Sequence, residues 1–155
     1  MGWLMLTNNN VYRLLAIQIV PFWEAIKFSC TKADGIREED RADYFNELLQ
    51  ALLSDKAQCF VVLGKNRVLH SLAITRVLHD KVPRRKVLYI QSLYSVTVMD
   101  DVALQKYFGF IVQFARRENC TAITLHAINY RIYEIASKLG CVERYRHYDL
   151  EIGGN

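Results

Sequence analysis

Positive charge is the most concentrated chemistry in this chain. Lys81-Val82-Pro83-Arg84-Arg85-Lys86 is a dense basic run, Arg116-Arg117 adds to it, and Arg144-Tyr145-Arg146-His147-Tyr148 interleaves cations with rings. Basic side chains neutralise phosphates and aromatic faces stack on bases, so such runs suit RNA or DNA. The commoner use of the same pattern is a solvated hairpin loop and a charge-protected strand edge. Arg84, Arg85 and Lys86 form the candidate basic patch. His70, His79 and His126 could carry protons near neutral pH, but His70 and His79 go with one predicted strand and His126 with another, and a lone His on a strand is more often a satisfied surface or core residue than a base. Cys30, Cys59, Cys120 and Cys141 are scattered without a CxxC pair, which argues against zinc or thioredoxin chemistry. They read as small apolar residues of a reducing cytosol. No Ser-His-Asp order, metal-ligand cluster or P-loop is present in the sequence.

The elements that must position these groups fit one domain, residues 1–155, with 52% hydrophobic and 23% charged residues. The net charge of +4 is mild. The apolar start Met1–Leu6 is cut short by Asn8-Asn9-Asn10 and lacks a basic flank, so no secretory signal is expected. Leu14–Phe28 comes nearest to a membrane span but holds Gln18, Pro21, Glu24 and Lys27. A cytoplasmic protein with no membrane association is the expectation.

Trp3–Leu6 reads as a short first strand. Asn10 is a plausible N-cap for a helix from Val11 to about Phe28, which Pro21 should kink or break. Asp34-Gly35 marks a turn, and a helix then carries Tyr44, Leu48, Leu49, Leu52 and Leu53 at helical spacing. Cys59–Leu63 and Val68–Leu78 are strands joined at Gly64-Lys65-Asn66, Lys81–Lys86 is a loop, and Val87–Val98 a further strand. Asp100 or Asp101 caps a helix with a stripe of Ala103, Tyr107, Phe110, Ile111, Phe114 and Ala115. Ile123–Ala127 is a strand, Tyr130–Leu139 a helix stopped by Gly140, and Val142–Ile152 a last strand or bent pair.

The run from Asn129 through Gly140-Cys141 after a strand, together with this element order, resembles the GNAT acetyltransferase family over nearly the whole chain. The resemblance implies an α/β (α+β) fold: a mixed, mostly antiparallel sheet of about six to seven strands flanked by about four helices. It further implies that acyl-CoA inserts between splayed fourth and fifth strands. Its pyrophosphate would rest on main-chain N–H groups at the start of the third helix, where glycines permit close approach.

Where those glycines belong, this chain has Asp101-Val102-Ala103-Leu104-Gln105-Lys106, and no Gly lies between Gly64 and Gly109. Two carboxylates would oppose a diphosphate. Ala136 stands at the family's proton-donating Tyr, with Tyr133 on the preceding turn. The fourth-strand segment Tyr89–Ser95 has no Asp, Glu or His to act as base. Two expectations follow. The first is an eroded, non-catalytic GNAT-fold module that binds a protein or its own copy, needs no cofactor, and resembles phage accessory proteins, in which case it could be virion-associated. Nucleic acid is the weaker alternative partner. The second is a divergent N-acyltransferase using acetyl-CoA, with Tyr94, His126 or Tyr133 moving protons. Val96, Val98, Lys106 and Asn129 would then line the cofactor, with Arg84–Lys86 as alternative phosphate ligands.

Overall fold

The computed structural model describes residues 10–153. Five strands form one sheet in the order β1-β2-β3-β4-β5: β1 (Val11–Arg13), β2 (Gln58–Leu63), β3 (Leu69–Lys81), β4 (Arg84–Ser95) and β5 (Ala122–Leu125). All neighbours are antiparallel except β4 and β5. The helices are α1 (Ala16–Asp34), α2 (Arg41–Leu53), α3 (Asp101–Arg117) and α4 (Tyr130–Lys138).

Alternation along the strands builds a core on each face. On one face Cys59, Val61, Leu72 and Ile74 meet Ile19, Ile26 and Cys30 of α1 and Leu48 and Leu52 of α2. On the other, Phe60, Ala73, Leu88 and Ile90 meet Leu104, Tyr107, Phe108, Ile111 and Phe114 of α3. Leu104 and Phe108 thus belong to the α3 stripe, with Ala103 at its margin. The Tyr107 hydroxyl, buried with its ring, donates to the Phe60 carbonyl at 2.9 Å and ties α3 to the sheet centre.

Several expectations change here. The expected strand Trp3–Leu6 lies outside the described residues. Asn10 is not a helix cap. Its φ is +69° and its carbonyl accepts from the Leu63 N–H at 2.9 Å, leading into β1, where Val11 is buried opposite Val62. The helix starts later, where the Gln18 side chain turns back to accept from the Leu15 N–H at 2.8 Å. Pro21 lies inside a continuous α1. The carbonyl it leaves without a donor belongs to Ile17, a residue 84% exposed, so water can take that bond.

The expected basic loop shrinks to Val82-Pro83, with Arg84–Lys86 already in β4. The Val142–Ile152 segment forms no strand, so the described residues hold five strands rather than six or seven. Its polar residues pair locally, Arg146 with Glu143 at 3.1 Å and His147 with Asp149 at 2.7 Å. Alternating polarity makes a strand only where a ladder partner is met. No helix among the described residues is long and apolar enough to cross a membrane.

Candidate functional site

A cleft opens because β4 outruns β5. Their parallel ladder runs from Val87↔Ala122 to Ile90↔Leu125 and stops, while β4 continues to Ser95. Just beyond that point β4 bulges: Ile74 of β3 faces Ser92, Thr75 faces Ile90, and Gln91 is the extra residue. The bulge turns Gln91 and Ser92 toward the same face, that of α1 and α2. A cleft of about 270 Å³ lies where β5 stops, lined from that face by Asp34, Tyr44, Tyr89 and Gln91, and also by Leu93, His126 and Ile132.

Asp34 is the chemical centre of this cleft. Gly35, at φ +60°, ends α1 in a left-handed turn with its N–H on the Thr31 carbonyl at 3.1 Å, so Asp34 is the last helical residue. Its Oδ2 accepts from Ser92 Oγ at 2.5 Å and from the Tyr44 hydroxyl at 2.9 Å. Burial pushes the carboxyl above its ordinary value, against the opposing pull of those two hydrogen bonds. Burial likewise raises Tyr44 and Tyr89, with Asp34 among the lesser causes, so both phenols stay protonated as donors. Cys30, close by, is pushed up to about 12, chiefly by burial, and is therefore an inert thiol at neutral pH.

The network continues outward. Gln91 Nε2 donates to the Tyr44 oxygen at 2.9 Å, and Arg76 Nε donates to Gln91 Oε1 at 2.6 Å. Arg76 also grips Glu47 of α2 with two bonds of 2.9 and 2.6 Å, and these hold the Glu47 carboxyl below its usual range. A chain of polar contacts thus links the α2 surface to the cleft carboxylate. Such an arrangement can receive a cationic group or accept a proton.

The sequence candidates divide around this cleft. His126 lies in it, its Nδ1 3.5 Å from the Tyr89 hydroxyl and its Nε2 3.0 Å from that of Tyr145. Tyr94 shares the α1 face but packs edge-on against Phe28, with ring centroids 5.9 Å apart. Tyr133 stacks on Tyr130 in solvent and does not line the cleft. Asn129 caps α4, its Oδ1 accepting from the Ile132 N–H at 3.0 Å. Val96 and Val98 are exposed beyond β4, and Lys106 is exposed on α3. Arg84 and Lys86 share one face of β4, whereas Arg85 turns to the other and meets Asp80 at 3.1 Å.

Asp34, Tyr44, Tyr89, Gln91 and Ser92 were not among the sequence candidates. The sequence offered only an acid directly before a helix-terminating Gly, which fixes where α1 ends and not what Asp34 meets.

The start of α3, where a pyrophosphate would have to sit, is capped by its own side chain and carries two acids. Asp100 Oδ1 accepts from the Ala103 N–H at 2.7 Å, and the Leu104 N–H is bonded to the Asp100 carbonyl. Asp101 stands beside it, bridged to Lys138 of α4 at 3.2 Å. These residues do not fit a CoA pyrophosphate at this helix end: a main-chain donor is taken and the local charge is negative.

No family model and no curated protein matches the chain. Solved structures do. A probable acetyltransferase is 10% identical, with 94% of this chain and 99% of that one covered and a TM-score of 0.69. The aminoglycoside N-acetyltransferase AAC(6')-Iy in complex with CoA is 14% identical, covering 96% and 98%, with a TM-score of 0.70. A predicted acetyltransferase with acetyl-CoA from Clostridium acetobutylicum is 14% identical, covering 92% and 96%, with a TM-score of 0.69. At these identities the likeness is one of architecture, and the chain has the GNAT acetyltransferase fold.

Proposed function

We propose that this protein is a GNAT-fold binding module that keeps the acceptor side of the cleft and does not recruit acyl-CoA. The observation that carries this reading is the Asp100 side chain on the Ala103 N–H. A phosphate reaching the Ala103 N–H must displace a capping bond, and any phosphate at this helix end approaches the carboxylates of Asp100 and Asp101. The cleft floor is different: Asp34, flanked by Tyr44 and Tyr89, suits a basic group presented by a protein partner.

Isothermal titration with acetyl-CoA tests the proposal. No heat at millimolar cofactor is expected. Binding tighter than about 100 μM, not displaced by ATP, overturns it.

A second reading, an N-acyltransferase that anchors its cofactor elsewhere, is favoured by one observation. Asp34 is a half-buried carboxylate with a raised pKa in a cleft beyond the end of the β4–β5 ladder, which is how a general base is tuned. Acetyl transfer to a panel of amines, lost in Asp34→Asn, would establish that reading instead.

A further inference from the structure

The β3–β4 hairpin projects past its neighbours on both sides. The β2 ladder reaches only Thr75 of β3, and the β5 ladder begins only at Val87 of β4. Beyond them runs a two-stranded ribbon paired His79↔Lys86, Asp80↔Arg85 and Lys81↔Arg84.

Side chains opposite one another share a face, and alternation puts His79, Lys81, Arg84 and Lys86 together on one side. That side is the α3 side, since Val77 and Leu88 in the same alternation belong to the core beneath α3. The opposite side carries the ribbon's one acid, Asp80, already neutralised by Arg85.

The C-terminal end of α3 adjoins the basic face. The Lys86 carbonyl accepts from the Thr121 N–H at 2.9 Å, and the Lys86 charge reaches Cys120, just past the helix. Arg116 and Arg117 occupy the last turn of α3 and are exposed. Among the described residues, Lys81, Arg84, Lys86, Arg116 and Arg117 take part in none of the ion pairs.

Two cations placed directly opposite each other weaken a strand pair. Charge that merely protects an edge would work equally well with mixed signs. Here Lys81 faces Arg84, while the ribbon's one acid is spent on the other side; Glu118, which acts on Cys120 together with Lys86, is the acid at the α3 end of the surface.

We propose that the α3-side face of this ribbon, with Arg116 and Arg117, is a docking surface for the phosphate backbone of nucleic acid. A two-stranded ribbon fits the major groove of B-form DNA, and on either duplex the recognition is by charge rather than by base sequence. The proposal stands apart from the cleft at Asp34 and survives or fails independently of it.

Fluorescence anisotropy of a labelled 20-base-pair DNA duplex and of its RNA counterpart, read from 50 to 200 mM salt, tests the surface. If those five cations each neutralise one phosphate, log affinity falls against log salt with a slope of about −4.5, roughly a 500-fold loss over that range. In Lys81→Gln/Arg84→Gln the slope drops to about −2.7. The same variant, freed of an opposing like-charge pair, should melt no lower than the parent. Loss of binding with unchanged melting supports the proposal. A parent that fails to bind either duplex at 50 mM salt overturns it. So does a double variant that keeps the parental slope, or binding to phosphatidylserine vesicles or poly-glutamate in preference to both duplexes.

Discussion

Replacing Asp100 tests whether its side chain caps the start of α3. Asp100→Ala deletes the acceptor 2.7 Å from the Ala103 N–H and the negative charge at the helix N-terminus. Loss of an N-cap acceptor costs about 1 kcal/mol. Loss of the charge–dipole attraction at an exposed site adds about 0.5 kcal/mol. At about 2–4 °C per kcal/mol for a chain of this size, the sum of about 1.5 kcal/mol lowers Tm by about 3–6 °C. Asp100→Asn separates the two contributions, because Asn caps as well as Asp and only the charge is lost. It should fall by only about 1–2 °C. Circular-dichroism melts of the three proteins at one pH and low salt give the comparison. Equal losses in the two variants, or no loss in Asp100→Ala, would refute the idea that this cap holds the helix end.

Tyr107→Phe should cost about 1 kcal/mol, because it removes one buried hydroxyl–carbonyl bond and leaves the ring in place. The urea midpoint then falls with an unchanged slope, and an unshifted midpoint contradicts the role given to that bond. Asp34→Asn keeps an acceptor for Ser92 and Tyr44 but removes the charge. Because burial raises the folded-state pKa above the ordinary 3.8, the wild type is penalised only when the group ionises. The two proteins should be closest in stability below that value, and the variant should gain on the parent as pH rises through the folded-state pKa. Paired urea titrations at about pH 3 and pH 7 measure the gap, and a gap that narrows toward neutral pH would refute the assignment.

Features set by local chemistry were legible in the sequence. Asp100, one of the two residues offered as the cap of α3, does cap it, and Gly140 follows α4 at φ +78°, both within reach of a few consecutive residues; the capping role of Asn129, expected to line a cofactor, was not read. The helices α2 and α3 and the β2–β3 hairpin follow from periodicity and turn residues. The mixed, mostly antiparallel sheet with four helices agrees with the family resemblance. Long-range features escaped. Asp34 gains its environment only when α1 ends against β4, far away in sequence. Which way Arg85 points depends on register with Asp80, which no spacing rule reveals. Val11–Arg13 is too short for its polarity to announce a strand, and only β2 makes it one. In Tyr148, Leu150 and Ile152, alternation was present and misleading, because no ladder partner meets them.

The extra residue at Gln91 governs what the rest of its strand displays. With it, Ser92 and Tyr94 are aligned with Tyr89 and Gln91, and Leu93 returns to the company of Leu88 and Ile90. Excising that single position would interchange the two sides downstream. Leu93 would enter the polar cluster, and Ser92 would be driven into the aliphatic layer beneath α3. The cleft's chemistry is thus written by a count of residues as much as by their kind, and a one-codon deletion there would do more damage than most substitutions.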